Sequence, residues 1–178
     1  EAFSFDKSEI TIIGCNSWQS ISDEIFTGYK VLCINEHDYA RKLLYRFSIN
    51  LKMRLLAPKA VVSDAFFRRA LMADSLTWAI GAPKTYVSYP YISERTRSEF
   101  TYYLSLATDV IDTGLYPIHE LDRHAAFISY FCFAPVKALP PVLNWRDKTP
   151  NIPVGKPYVV LNPGSNEYGR RWPLKDYV

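Results

Sequence analysis

No stretch of this sequence approaches the run of about 18 apolar residues that marks a transmembrane helix, although 48% of its 178 residues are apolar. Cysteine is scarce. Cys15, Cys33 and Cys132 are far apart and odd in number, which argues against a disulfide framework and offers no Cys-x-x-Cys pair for zinc. Each sits among apolar neighbours, so all three are expected to be buried and reduced, as in a cytoplasmic protein. The seven glycines never form the Gly-x-Gly-x-x-Gly of a dinucleotide-binding loop, which weighs against a Rossmann-type oxidoreductase. Neither sign of charge dominates. The formal net charge of +3 is too small to argue for nucleic acid, and no stacking motif accompanies the scattered basic residues. The opening Glu1-Ala2-Phe3-Ser4-Phe5 has neither an initiator methionine nor a signal-peptide core, and reads as a chain whose true beginning is missing.

What is present alternates short apolar runs with helical patterns. Ile10 to Cys15 reads as a buried strand, with Asn16-Ser17 capping a helix that carries Trp18, Ile21 and Ile25 inward and stops at Thr27-Gly28. Lys30 to Asn35 is a second strand. Tyr39, Leu43, Phe47, Leu51 and Leu55 recur every four residues, with Arg41, Lys42, Arg46, Lys52 and Arg54 between them. This predicts one long basic amphipathic helix whose tyrosine and leucines pack inward. Ala60 to Ser63 is a third strand ending at Asp64, followed by a helix over 66–79 that Gly81-Ala82-Pro83 terminates. Lys84 to Tyr89 is a fourth strand, cut by Pro90. The polar, aromatic stretch from Tyr91 to Leu115 holds a helix around 97–106. His119 to Phe133 is a better helix, with Leu121, Ala125, Ile128 and Phe131 or Cys132 as its apolar stripe and Glu120, Arg123, His124 and Phe127 on another face. Strands apolar on both faces, alternating with helices, predict an α/β fold of βα units around a parallel sheet.

The Pro-rich stretch 135–154 reads as an interdomain linker. It separates a Rossmann-like domain (1–134) from the beginning of a second domain (155–178). There Tyr158 to Leu161 is a strand, Asn162-Pro163-Gly164-Ser165-Asn166 a turn, and Trp172-Pro173 a helix start. The chain stops at Val178, one turn into that helix, so both ends read as those of a central slice of a larger protein. From Lys137 onward seven Lys and Arg face three acids, a balance of +4, against 14 and 15 in the remainder. A positive end of this kind suits a phosphate-bearing ligand.

The turn carries the clearest chemical signal. A strand running into Asn162-Pro163-Gly164-Ser165 and then a helix start offers free backbone N–H groups, close approach at Gly164 and a hydroxyl from Ser165. Arg170 and Arg171 can neutralise a diphosphate while a sugar leaves it. The plainer alternative is a surface turn with two solvated arginines and a core tryptophan. Leu161-Asn162-Pro163-Gly164-Ser165, followed by Arg170-Arg171-Trp172-Pro173 and Tyr177, resembles the start of the C-terminal domain in glycosyltransferase family 9, the bacterial lipopolysaccharide heptosyltransferase-like family. Gly81-Ala82-Pro83 between a helix and a strand is similar to the middle of that family's N-terminal domain. The resemblance is specific over about 16 residues.

The resemblance implies a GT-B fold of two Rossmann-like domains facing each other across a cleft. It implies inverting transfer of a sugar, heptose above all, from a nucleoside-diphosphate donor such as ADP-heptose to a lipopolysaccharide-core or other glycolipid acceptor. Asn162, Gly164, Ser165, Arg170 and Arg171 would hold the donor, Arg170 standing where the family commonly has lysine. No metal or further cofactor is implied. The setting would be cytoplasmic, with peripheral contact of the inner membrane through the basic helix. The family's first strand and the loop that supplies its proposed general base have no counterpart before Ile10, so no catalytic residue is assigned and the 178 residues alone are expected to be inactive. A noncatalytic sugar-nucleotide or glycan-binding protein is the competing reading.

Other residues leave alternatives open. Asp64 either touches an acceptor or caps the next helix, the cap being favoured. Arg68 and Arg69 either meet acceptor phosphates or lie solvated on a helix. Glu120 and His124, four apart on one helix face, have a spacing usable for acid/base work or for one edge of a metal site, though no second ligand pair stands out; an ordinary salt-bridged face is the favoured reading.

Overall fold

The structure, a computed structural model, describes residues 6–140, all within one compact unit, Glu1–Trp145. It is a small α/β domain of five strands and interspersed helices. Thr11–Cys15 (β1) and Lys30–Ile34 (β2) pair in parallel, with Ile12 opposite Val31 and Cys15 opposite Ile34. Val61–Ser63 (β3), Thr85–Ser88 (β4) and Asp109–Ile111 (β5) form a second parallel sheet in the order β3-β4-β5. Four of the five strands stand where the apolar runs put them. The expected single sheet is two sheets, and β5 arises inside the stretch read as irregular.

The helices depart further from the sequence reading. The helix expected from Trp18 to Thr27 is a 3-10 turn, Asn16–Trp18, and a four-residue helix, Ser22–Ile25 (α1). The Trp18 ring packs against Gly14, where a Cβ would come within 2.5 Å of it, and lies 5.8 Å from the Phe26 ring. Gly28 at φ +88° ends the segment, as its lack of a Cβ allows.

The long basic helix is likewise two helices, Glu36–Arg41 (α2) and Leu43–Leu55 (α3), separated by Lys42 in an extended conformation. Asn35 caps α2, its Oδ1 accepting from the Asp38 N–H at 3.1 Å. The break folds Tyr39 onto α3, where its hydroxyl donates to Asn50 Oδ1 at 2.8 Å. It also changes which face of α3 packs. Arg46 reaches inward to the Leu71 carbonyl (2.8 Å) and the Ser75 hydroxyl (2.7 Å), Met53 is buried, and Leu43, Phe47 and Leu55 are 82%, 68% and 75% exposed. Of the stripe expected to face inward, Tyr39 is buried, but Leu43, Phe47, Leu51 and Leu55 face out, because inward-pointing polar groups on the opposite face of α3 are hydrogen-bonded.

Residues 66–69 of the helix expected over 66–79 are not helical; the helix begins as a π turn, Ala70–Asp74, and continues as Ser75–Ile80 (α4) to Gly81 at φ +69°. Arg97–Leu104 (α5) and Glu120–Cys132 (α6) match their expected positions closely. α6 is rotated from its expected apolar stripe: Arg123 and Phe127 are wholly buried while Ile128 is exposed. The Arg123 guanidinium lies 3.6 Å from the centre of the Phe66 ring and Nη1 donates to the Gly114 carbonyl at 2.8 Å. A stacked, hydrogen-bonded arginine takes the place of a leucine in the core. That rotation turns Cys132 outward, against the expectation of burial; Cys15 and Cys33 are half-buried, and all three are free thiols. Of the expected linker, residues 135–140 have no regular structure and the remainder lies outside the described residues.

Candidate functional site

Parallel strands deliver the loops that follow them to one edge of a sheet, and that edge collects ligands in open α/β folds. Here the edge opens on a cleft of about 800 Å³. Ile13, Gly14 and Cys15 of β1 and Ile34 of β2 line it, as do Ala65, Phe67 and Arg69 after β3 and Tyr91 and Ser93 after β4. The character is mixed: apolar and aromatic surface, with Arg69, Glu36, Ser93 and Thr96 as polar points. Such lining suits a ligand with both apolar faces and hydroxyls.

Arg68 also reaches the cleft, but as a clamp. Its Nε donates to both carboxylate oxygens of Asp74, at 3.0 and 2.8 Å, and both side chains are almost fully buried. Its Nη1 donates to the carbonyls of Ala65 (2.6 Å) and Ser88 (2.8 Å), binding the ends of β3 and β4 to the start of the following helix. Of the two arginines weighed for acceptor phosphate, Arg68 is therefore occupied and Arg69 is exposed. Beside the cleft, Phe67, Tyr91 and Tyr116 form an exposed aromatic group, with ring centres 5.4 to 6.0 Å apart.

A second cluster joins the end of β3 to α6. Asp64 does not cap a helix; its Oδ2 lies 2.7 Å from Nδ1 of His124, sixty residues away. His119 caps α6, its Nδ1 accepting from the Leu121 N–H at 3.2 Å. Glu120 lies 3.7 Å from Arg123 Nε, an ion pair too long for a hydrogen bond. Burial pushes the Asp64 carboxyl above the usual aspartate range, and the bond to His124 partly opposes that shift. The cluster pairs a desolvated carboxylate with an oriented imidazole, the pairing the Glu120–His124 spacing alone did not reveal. Its side chains do not line the cleft. Among the described residues no group of three or more His, Cys, Asp or Glu is placed to hold a metal ion, and no helix is long and apolar enough to cross a membrane.

Asn162, Gly164, Ser165, Arg170 and Arg171, the expected donor-binding residues, lie outside the described residues. Comparison with family models, curated proteins and solved structures gave no match to the chain.

Proposed function

We propose that the chain is part of an inverting, GT-B-type glycosyltransferase that moves a sugar from a nucleoside-diphosphate donor to a glycolipid acceptor. The observation that carries this reading is the segment from Leu161 to Pro173, in which Asn-Pro-Gly-Ser is followed by Arg-Arg-Trp-Pro. Support comes from the parallel α/β unit ahead of it, whose strand ends open on a cleft with aromatic and hydroxyl-bearing walls. In the proposed reaction an acceptor hydroxyl, losing its proton to a carboxylate, attacks the anomeric carbon. The bond to the donor diphosphate breaks and the diphosphate leaves with the electron pair. Arg170, Ser165 and the helix start expected at Trp172-Pro173 neutralise that developing charge, with Asn162, Gly164 and Arg171 completing the expected donor loop. ADP-heptose is the leading donor and a lipopolysaccharide-core glycolipid the leading acceptor. The setting is cytoplasmic, at the inner membrane.

The outward stripe of α3 fits that setting. Residues 41–59 carry six Lys and Arg and no acid, while the rest of the chain has 15 against 18. Apolar side chains exposed beside a local excess of positive charge suit the surface of an anionic bilayer.

A second reading, a noncatalytic glycan-binding protein, is favoured by the exposed Phe67, Tyr91 and Tyr116 rings, whose faces can stack on sugars without any donor site. Incubating the full-length protein with ADP-heptose and lipopolysaccharide core separates the two. Acceptor-dependent release of ADP is the expected result for the enzyme. Retention of glycan with no ADP release would favour the binding protein. The 178 residues alone are expected to release none.

A further inference from the structure

A buried arginine sets the rotation of α6 at the ligand edge of the sheet. Arg123 Nη1 donates to the Gly114 carbonyl at 2.8 Å and to the Thr113 hydroxyl at 3.3 Å, which ties the helix to the loop after β5. Its guanidinium lies on the Phe66 ring at 3.6 Å. Successive residues of a helix point about 100° apart, so fixing Arg123 also fixes His124, and it carries that imidazole to the end of β3. Asp64 is the first residue past that strand, and its Oδ2 lies 2.7 Å from His124 Nδ1.

The pair is open on one side only. Asp64 Oδ1 is buried and has no hydrogen-bond partner, and the carboxylate side chain is 20% exposed against 48% for the imidazole. A ligand therefore meets the imidazole first. An ionised carboxylate only accepts, so Nδ1 carries the proton between the two groups and Nε2 keeps a lone pair. Among the described residues no hydrogen bond occupies Nε2. The other charged groups around the pair are Glu120 and Arg123; Arg123 Nε stands 3.7 Å from Glu120, so these two largely offset each other. Little water surrounds Asp64, and its attraction for a protonated imidazole is weakly screened. Phe66, two residues beyond Asp64, meets Phe67 and Tyr91 at 4.9 and 6.2 Å. The exposed aromatic faces suited to a sugar thus begin beside the pair.

We infer that His124 is the base that takes the proton of the acceptor hydroxyl, and that Asp64 positions it. The inference rests on the transferase reading and names the carboxylate of that reaction as Asp64, acting through the imidazole. The hydroxyl proton passes to Nε2 while the oxygen forms its bond to the anomeric carbon. The donor diphosphate leaves with the electron pair of the broken bond. Asp64 holds the resulting imidazolium through its Nδ1–H.

The test uses full-length protein, with acceptor-dependent ADP release and nitrogen-15 NMR of the imidazole as its two readouts. Neutral His124 should hold its proton on Nδ1, opposite to the tautomer that free histidine favours, and Asp64→Asn should lose that preference. His124→Gln should lower kcat about 10²–10⁴-fold and abolish the acid limb of its pH profile, with the acceptor KM changed by less than about threefold. Asp64→Asn should lower kcat at least about tenfold and keep that limb, moved to lower pH, because the imidazolium loses its anionic partner. Thermal unfolding checks that both variants fold. ADP release by His124→Gln within about tenfold of the parent, or an imidazole protonated on Nε2 in the parent, would overturn the inference and leave the transferase reading standing. No ADP release by the parent would remove that reading and the inference with it, and an Nδ1–H tautomer would then mark the pair as a tie between α6 and β3.

Discussion

Replacing Arg68 by methionine isolates the clamp beneath the cleft. The substitution keeps most of the side-chain volume and removes the charge, leaving the Asp74 carboxylate buried without the partner that now bonds both its oxygens at 3.0 and 2.8 Å. Removing one member of a buried ion pair costs about 3–5 kcal/mol, because the other charge stays in the interior. The carbonyls of Ala65 and Ser88, which accept from Nη1 at 2.6 and 2.8 Å, lose a partner as well, so the upper half of that range is expected. Against a domain stability of about 5–15 kcal/mol, this is a large share. Asp74→Leu should cost a similar amount by stranding the guanidinium. The double variant Arg68→Met/Asp74→Leu strands neither charge, and should cost less than either single change. Urea unfolding of the four proteins, with a common slope against denaturant, gives the cycle. Single losses under about 1 kcal/mol, or strictly additive losses, would refute the view that a desolvated pair holds these strand ends together.

Two further outcomes follow from the same geometry. Burial holds the Asp64 carboxyl above its usual value of 3.8, so over that interval the folded state binds more protons than the unfolded one. The stability Asp64 contributes is then full below pH 3.8 and lost as pH rises through the raised folded value. Asp64→Asn does not titrate, and its stability relative to the parent should climb between about pH 3.5 and pH 7 in urea unfolding; a relative fall would mean that the His124 bond outweighs burial. Separately, the chain should co-sediment with phosphatidylglycerol vesicles in a salt-sensitive manner and ignore phosphatidylcholine vesicles. The triple change Phe47→Ser, Leu51→Ser and Leu55→Ser should abolish this, and retained binding would remove α3 from the membrane contact.

Local signals were the legible part of the sequence. Apolar runs marked β1 to β4, and Gly28 and Gly81 stopped their segments in the positive-φ conformations that favour glycine. β5 escaped notice because Asp109-Val110-Ile111 is three residues long and its apolar content is two side chains. The faces of α3 and α6 were misjudged for one common reason. Apolar periodicity assumes that carbon packs inward, whereas Arg46 and Arg123 are drawn in by carbonyls, a hydroxyl and an aromatic ring far along the chain. The Asp64–His124 pair spans sixty residues, and no spacing rule reaches that far. The cleft is assembled by segments that follow several different strands, so its position could be expected from the βα pattern but its walls could not.

The central claim is that the Asn162 to Arg171 segment grips a donor diphosphate, and calorimetric titration of the full-length protein with ADP and other nucleoside diphosphates tests it most directly. The account predicts micromolar binding that weakens about 10- to 100-fold in Arg170→Ala, the loss of a hydrogen-bonded charge against phosphate. Absence of diphosphate binding, or binding indifferent to Arg170→Ala, would contradict it and leave the Pro-Gly-Ser turn as architecture.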